Sequence, residues 1–199
     1  MPNLLGRAAV LLCLTSVATS AGAAPLTAGE RQRLVAHLEM TERWLASELD
    51  GLSPAQLAFR PSPESWSVKD VVEHLGIAEP QYWTQVQDAL KPPATGYTAE
   101  TTDATILWYG IDRGNRATTG EARVPDGRFK TAADALASFR ALRVKMVEHA
   151  STTQEDLRGR KLTGGTMDVY QWCLMISTHS MRHILQIREI KAAPTYPRA

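Results

Sequence analysis

The chain has little cysteine, no clear excess of either charge and no long apolar run. Its 199 residues contain only two cysteines, Cys13 and Cys173, so disulfide pairing cannot carry the fold. There are 22 basic and 21 acidic residues, and this balance argues against the basic surface that nucleic-acid binding requires. The apolar run at residues 8–17 is about half as long as the ~20 residues that span a membrane. We therefore expect a small-molecule substrate and no nucleic-acid partner.

Residues 1–23 have the layout of a secretory signal peptide. Arg7 is the only charge in this segment, the apolar run 8–17 follows it, and Ala21-Gly-Ala23 supplies small residues for cleavage. We expect cleavage after Ala23, a periplasmic or secreted mature chain, and no stable membrane anchor after cleavage. An uncleaved anchor is the alternative. Residues 24–199 are then one domain, long enough to enclose a core.

Cleavage there changes both the charge and the cysteine content. Because Arg7 is the only charge removed, the mature chain has equal numbers of basic and acidic residues. Cys173 remains as the single cysteine, in an apolar segment with helical spacing. We expect it to be a buried structural thiol and not a reactive one.

Four long segments have apolar residues at helical spacing, and three of them begin with a capping box. The predicted long helices cover about 28–50, 68–90, 132–150 and 167–191, with a short helix at 103–113. Pro80 is expected to kink or split the second long helix. Four amphipathic helices without strand signals predict an all-α fold, namely a four-helix bundle.

The connection between the second and third long helices is about forty residues, far more than antiparallel neighbours need. A crossover along the length of the bundle would use that distance and leave these two helices parallel. A decorated loop at one end of the bundle is the alternative.

Three histidines on two of these helices predict a metal site. His179 and His183 are four residues apart, so both rings project from one helix face about 6 Å apart along the axis. They can share an ion at ~2.0–2.1 Å only if it lies between them, and a third ligand must then come from elsewhere. His74 is the best candidate, because it lies on the apolar face of the second long helix. Three nitrogens leave room for water or substrate, as in a reactive centre.

Ordinary hydrogen-bonded core histidines are the alternative interpretation. Several buried imidazoles without partners cost ~1–3 kcal/mol each, and a shared cation satisfies them together. The two remaining histidines are explained without a metal. His149 lies at the C-terminal end of its helix, where a histidine interacts favourably with the helix dipole and with the unpaired carbonyls. His37 is expected at the solvated edge of its helix.

Metal-bound histidines usually donate their second ring N–H to a carboxylate or carbonyl. Asp70, four residues before His74, and Gln186, three residues after His183, are the candidates for this role. Asp70 also fits the capping box alone. Glu73 lies about 100° around the helix from His74, so we do not expect it to contact the metal.

Three aromatic residues near these segments are expected to serve packing. Tyr82 and Tyr170 are candidates for a cavity wall, but core packing is the favoured interpretation of both. Trp66, directly before the predicted Ser67 cap, is expected to dock its loop onto the bundle.

The segments Ser65–Leu75 and Thr178–Ile187 resemble the DinB-like superfamily, which includes bacillithiol S-transferases and mycothiol-dependent maleylpyruvate isomerases. Val124–Thr131 is also similar to members of this group, and the three segments occur in the same order. The resemblance implies an up-down-down-up four-helix bundle, a divalent metal that is usually zinc or nickel, and often a homodimer. The implied metal ligands are His74, His179 and His183.

The better-understood members of that superfamily use the metal to activate the thiol of a low-molecular-weight cofactor for attack on an electrophile. The resemblance implies the same chemistry for this chain. Those thiols are cytosolic, whereas the leader predicts export, so activation of water for hydrolysis is the second expectation. A non-catalytic exported metal- or ligand-binding protein is the alternative, because a bound ion also stabilises the fold. A pocket that opens onto the histidines would favour an enzyme, and a sealed site would favour the structural role.

Overall fold

The computed structural model describes residues 24–115 and 118–198, and within these ranges the chain forms helices and their connections. The predicted signal peptide, residues 1–23, lies outside the described residues. The helices are α1 (Ala28–Leu49), α2 (Pro54–Ala58), α3 (Val68–Leu90), α4 (Asp103–Ile111), α5 (Ala132–Thr152) and α6 (Val169–Lys191). A 3-10 turn covers Glu121–Arg123. The prediction of an all-α four-helix fold is confirmed, with α1, α3, α5 and α6 as the long helices.

Each long helix begins at a capping box. In each box the side chain of the N-cap residue accepts a hydrogen bond from the backbone N–H three residues on. The side chain at that third position in turn accepts from the backbone N–H of the N-cap residue. The four N-cap residues are Thr27, Ser67, Thr131 and Asp168. Of the kink or split expected at Pro80, the split does not occur, because the helix continues through the proline to Leu90. On either side of the proline, Glu79 bonds to Arg143 of α5 and Tyr82 packs on Trp172 of α6.

The four long helices form a ring in which α1 and α3 each contact α5 and α6. Near the start of both helices, Tyr170 of α6 donates to the Glu30 carbonyl of α1. Near their ends, Lys191 of α6 donates to Glu48 of α1. Helices α1 and α6 therefore run in the same direction.

The directions of the remaining pairs follow from two contacts in the C-terminal half of α3. Trp83 packs on His149 of α5, so the C-terminal halves of α3 and α5 lie together. Tyr82 packs against Trp172 near the start of α6, which makes α3 and α6 antiparallel. These directions are consistent with the expected up-down-down-up order. The part of the chain that the structure describes holds no helix long and apolar enough to cross a membrane.

A polar layer divides the apolar core into two halves. Arg143 of α5 and Glu79 of α3 form an ion pair whose side chains are 2% and 0% exposed, with Arg143 Nε 2.9 Å from a Glu79 oxygen. Arg143 also donates to Thr41 of α1 and to Ser180 of α6. One buried guanidinium thus links all four long helices. Ser180 directly follows His179, so this layer also fixes the position of α6 next to the histidines.

Candidate metal centre

The three predicted histidines converge at the antiparallel contact between α3 and α6. His179 Nε2 lies 3.3 Å from His74 Nε2 and 3.2 Å from His183 Nε2. One ring nitrogen from each histidine lies within 4.8 Å of the other two. Ligands at ~2.0–2.1 Å around a tetrahedral ion are about 3.4 Å apart, so the two short separations suit one shared cation.

The helices place these rings because their apolar faces pack together. Val71 and Leu75 on α3 flank His74, and Ile184 and Ile187 on α6 follow the histidine pair; all four side chains are fully buried. His74 and His179 are also buried, whereas His183 is partly exposed. The centre therefore has a packed side and an open side.

Two ring nitrogens outside the centre have hydrogen-bond partners that fix the tautomers. His74 Nδ1 donates to the backbone carbonyl of Arg123 at 2.7 Å, and His183 Nδ1 donates to Gln186 Oε1 at 2.8 Å. In both neutral rings the Nε2 lone pair then faces the centre, as a metal ligand requires. Among the described residues, His179 Nδ1 is buried without a partner.

Gln186 therefore lies where the sequence places it, whereas Asp70 does not contact His74. The Asp70 Oδ2 atom accepts from the Ser67 backbone N–H at 2.7 Å and forms an ion pair with Arg60 at 2.7 Å. The cap and Arg60 hold the carboxylate at the start of α3. In place of the predicted Asp70, the partner of His74 Nδ1 is the Arg123 carbonyl from the 3-10 turn.

The electrostatic surroundings keep all three rings neutral at neutral pH. Burial, and then the neighbouring histidines, hold the pKa of His179 well below its usual value. Burial and the nearby His74 lower the pKa of His183 to about 3. Burial also lowers the pKa of His74, more than its bond to the Arg123 carbonyl raises it. Neutral imidazole is the form that binds metals.

Two aromatic side chains pack around the histidines. Trp66 lies 5.0 Å from His74 and 6.2 Å from His183 between ring centroids, so it covers the centre as well as docking its loop. Tyr82 stands edge-on to His179 at 5.2 Å. Both side chains line the cleft described below, whereas Tyr170 is fully buried near Glu30. Core packing is thus the role of Tyr170 but only part of the role of Tyr82.

A cleft of about 670 Å³ opens onto the three histidines. Its wall includes all three rings, several aromatic residues, polar residues and three arginines. The arginines are Arg113, Arg123 and Arg182. The volume is in the range of small-molecule sites, so an organic substrate fits next to the ring nitrogens.

Sequence reasoning missed the loop that supplies the Arg123 carbonyl. Glu73 is buried, and its Oε1 accepts the backbone N–H of Gly127 at 2.7 Å. Gln81 donates to the Ala122 carbonyl at 3.0 Å. Helix α3 thus holds the loop on both sides of its bond to His74. Every residue type has a backbone carbonyl, so the residue at position 123 does not indicate that its carbonyl accepts from His74. The resemblance at 124–131 nevertheless pointed to this part of the chain.

The two other histidines lie away from the centre, as expected. His149 packs on Trp83 with ring centroids 5.3 Å apart, and it shares a small apolar pocket with Cys173. His37 is half-buried on α1, and its Nδ1 has no partner among the described residues. Cys173 is buried, as predicted, and burial raises its pKa to about 12.

The fold and the site together define a helical-bundle protein with a three-histidine centre at the base of an open cleft. The sequence pattern of the DinB superfamily matches residues 33–187, and the chain belongs to this superfamily. The resemblance found in the sequence is confirmed.

Two similar proteins come from Bacillus subtilis. YuaE of strain 168, an uncharacterized protein, is 26% identical over 153 residues, which is 75% of this chain and 91% of YuaE. The solved structure of YfiT superposes with a TM-score of 0.56 and 16% identity, covering 83% of this chain and 88% of that one. YfiT is described as a probable metal-dependent hydrolase with an unusual four-helix bundle topology. At this identity the likeness supports the fold.

Proposed function

We propose that this protein is a metal-dependent hydrolase of small organic substrates. The ligands of the divalent cation are His74, His179 and His183. The observation that carries the proposal is the convergence of three Nε2 atoms in the wall of an open cleft, with that of His179 at 3.3 and 3.2 Å from the other two. Zinc or nickel is the proposed ion, because imidazole ligands suit both.

The residues of the chain prepare this chemistry in three ways. The Arg123 carbonyl and Gln186 hold two rings with their lone pairs inwards. Trp66 and Tyr82 pack on the histidine rings in the wall of the cleft. The cleft admits a substrate to the same rings. When bound, a divalent cation supplies Lewis-acid chemistry that makes water a nucleophile near neutral pH.

The open cleft favours an enzyme over a purely structural ion. A structural site is closed by four protein ligands, whereas a catalytic site keeps a position for water or substrate. Within the described residues, only three His, Cys, Asp or Glu side chains converge here, and His183 remains partly exposed. Hydrolysis is preferred to thiol transfer because the predicted leader directs the chain away from cytosolic thiols. The description of YfiT as a probable metal-dependent hydrolase supports the same choice.

The test is hydrolysis by the zinc- or nickel-loaded mature chain, residues 24–199, against a panel of activated esters, amides and lactones. We expect at least one class to be hydrolysed, with activity lost in His179→Ala and retained in His149→Ala. His149 is the matched control, because it is a half-buried histidine outside the centre. Equal activity in wild type and His179→Ala would contradict the proposal. Turnover only with an added thiol would instead support transferase activity.

A further inference from the structure

Three arginines line the cleft, and two of them already have acceptors. Arg113 donates to both carboxylate oxygens of Glu189, at 2.9 and 2.8 Å. Among the described residues, Arg182 donates to three backbone carbonyls, which tie α6 to the end of α4 and the residues after it. Its acceptors are Tyr109, Asp112 and Asn115. These two guanidinium groups therefore have structural roles.

Arg123 differs from both. No ion pair or hydrogen bond engages its guanidinium among residues 24–115 and 118–198, and its Nε is buried without an acceptor. The guanidinium carbon lies 5.4 Å from the Tyr82 ring centroid, and that ring stands edge-on to His179. A free, partly desolvated donor group thus lies in the cleft next to the metal centre. A buried N–H without a partner is unfavourable, and a ligand oxygen would satisfy it.

The position of Arg123 is fixed before any ligand arrives. Its backbone carbonyl accepts from His74, the preceding Ala122 carbonyl accepts from Gln81, and the Gly127 N–H donates to Glu73. All three contacts come from α3, which also carries one of the proposed ligands. Binding therefore does not have to order this loop first.

We propose that Arg123 recognises a carboxylate of the substrate and so places the bond to be hydrolysed at the metal centre. This inference rests on the proposed function, since it names the substrate class of that site. The planar guanidinium matches a carboxylate with two parallel hydrogen bonds. The cleft also contains the acidic residues Glu64 and Glu189. With one unengaged guanidinium in the described cleft and acids beside it, a monoanion suits the site better than a phosphate dianion.

The experiment measures ligand binding in the absence of metal, so that it does not depend on hydrolysis. The ¹⁵N-labelled mature chain is treated with chelator, and its arginine Nε–H resonances are followed during titration with benzoate, benzamide or inorganic phosphate. Arg123→Gln identifies the resonance of Arg123. Arg128→Gln is the matched control, because Arg128 is exposed on the same loop and already paired with Asp126.

We expect benzoate, and not its neutral isostere benzamide, to shift the Arg123 resonance. Benzoate affinity should fall about tenfold in Arg123→Gln, less in Arg123→Lys, and remain unchanged in Arg128→Gln. Since these substitutions keep the backbone carbonyl, zinc binding by Arg123→Gln should equal that of wild type, which shows that the centre is intact.

The proposal is overturned if wild type does not bind benzoate, or if Arg123→Gln binds it equally well. Tighter phosphate binding at Arg123 would also overturn it, by replacing the carboxylate with a phosphate. None of these outcomes involves the metal. Failure of the proposed function is seen separately, as absence of metal binding or hydrolysis while benzoate still binds at Arg123.

Discussion

At the level of single residues, two of the three histidines of the centre are oriented by a hydrogen bond from the second ring nitrogen. The Arg123 carbonyl and Gln186 accept from His74 and His183, and these bonds make the opposite nitrogens available to an ion. His179 lies between the other two, at 3.3 and 3.2 Å. Removal of the His179 ring therefore takes away the nitrogen that lies close to both of the other two proposed ligands.

We expect His179→Ala to abolish tight divalent-metal binding while helix content by circular dichroism stays near that of wild type. An ion at a hundred times its dissociation constant stabilises a protein by about 2.7 kcal/mol, so zinc should raise the melting temperature of wild type but not of the variant. Elemental analysis and thermal unfolding measure both effects. An equal zinc response in His179→Ala would rule out the centre, and His149→Ala is the control.

Gln186→Leu tests the hydrogen bond behind His183. The substitution removes the acceptor of Nδ1 at 2.8 Å but keeps the three ligands. Loss of such a partner usually weakens metal affinity about 10–100-fold. Competition with a chelator of known affinity gives the change. Unaltered affinity would mean that Gln186 does not orient the ring.

Cys173 should be unreactive in the folded protein. Its pKa of about 12 leaves almost no thiolate at pH 8, and the side chain is buried as well. We expect a disulfide reagent such as DTNB to react with the mature chain only after unfolding in guanidinium. Rapid labelling of the native protein at pH 8 would show instead that the thiol is accessible.

At the scale of elements, α3 connects every part of the site. It carries His74, and its Glu73 and Gln81 hold the loop that contributes Arg123. Through Glu79 it also joins the buried polar layer, where Arg143 reaches Ser180 next to His179. The positions of α3 and α6 relative to each other, and so the separation of the ring nitrogens, depend on this layer.

Glu79→Gln should destabilise the fold strongly, because it leaves Arg143 charged and buried without its counter-ion. Breaking such a pair costs about 3–5 kcal/mol. The exposed pair of Arg140 and Glu42 offers a matched control, since Glu42→Gln should cost less than about 1 kcal/mol. Urea unfolding measures both. Similar losses in the two variants would mean that the buried pair contributes little to stability.

At the scale of the whole molecule, the four helices bury the histidines from one side and leave a cleft on the other. The structural family is established by the match over residues 33–187. Export is predicted from residues 1–23 alone, and these lie outside the described residues. Export and the choice of water as nucleophile are therefore linked predictions.

Expression of the full chain in a bacterial host, followed by fractionation and mass spectrometry, tests export. We expect a periplasmic product that begins at Ala24, whereas a chain that starts at residue 24 behind a new initiator methionine should stay in the cytoplasm. Cytoplasmic retention of the uncleaved full chain would contradict the predicted leader. It would also favour a thiol cofactor over water.

From the sequence alone one can predict the four long helices, the short helix α4, three of the capping boxes and the three histidines, but not the short helix α2, Pro54–Ala58. These features depend on short-range rules, namely the helical repeat, a bond to the third residue on and the i, i+4 spacing. The remaining features become visible only in the folded chain: the Arg123 carbonyl behind His74, Trp66 over the centre, the Glu79–Arg143 pair and the cleft. Each joins residues far apart in the chain, as with His74 and the carbonyl 49 positions away. Such contacts depend on how the helices pack, so they cannot be predicted from residue type or local spacing.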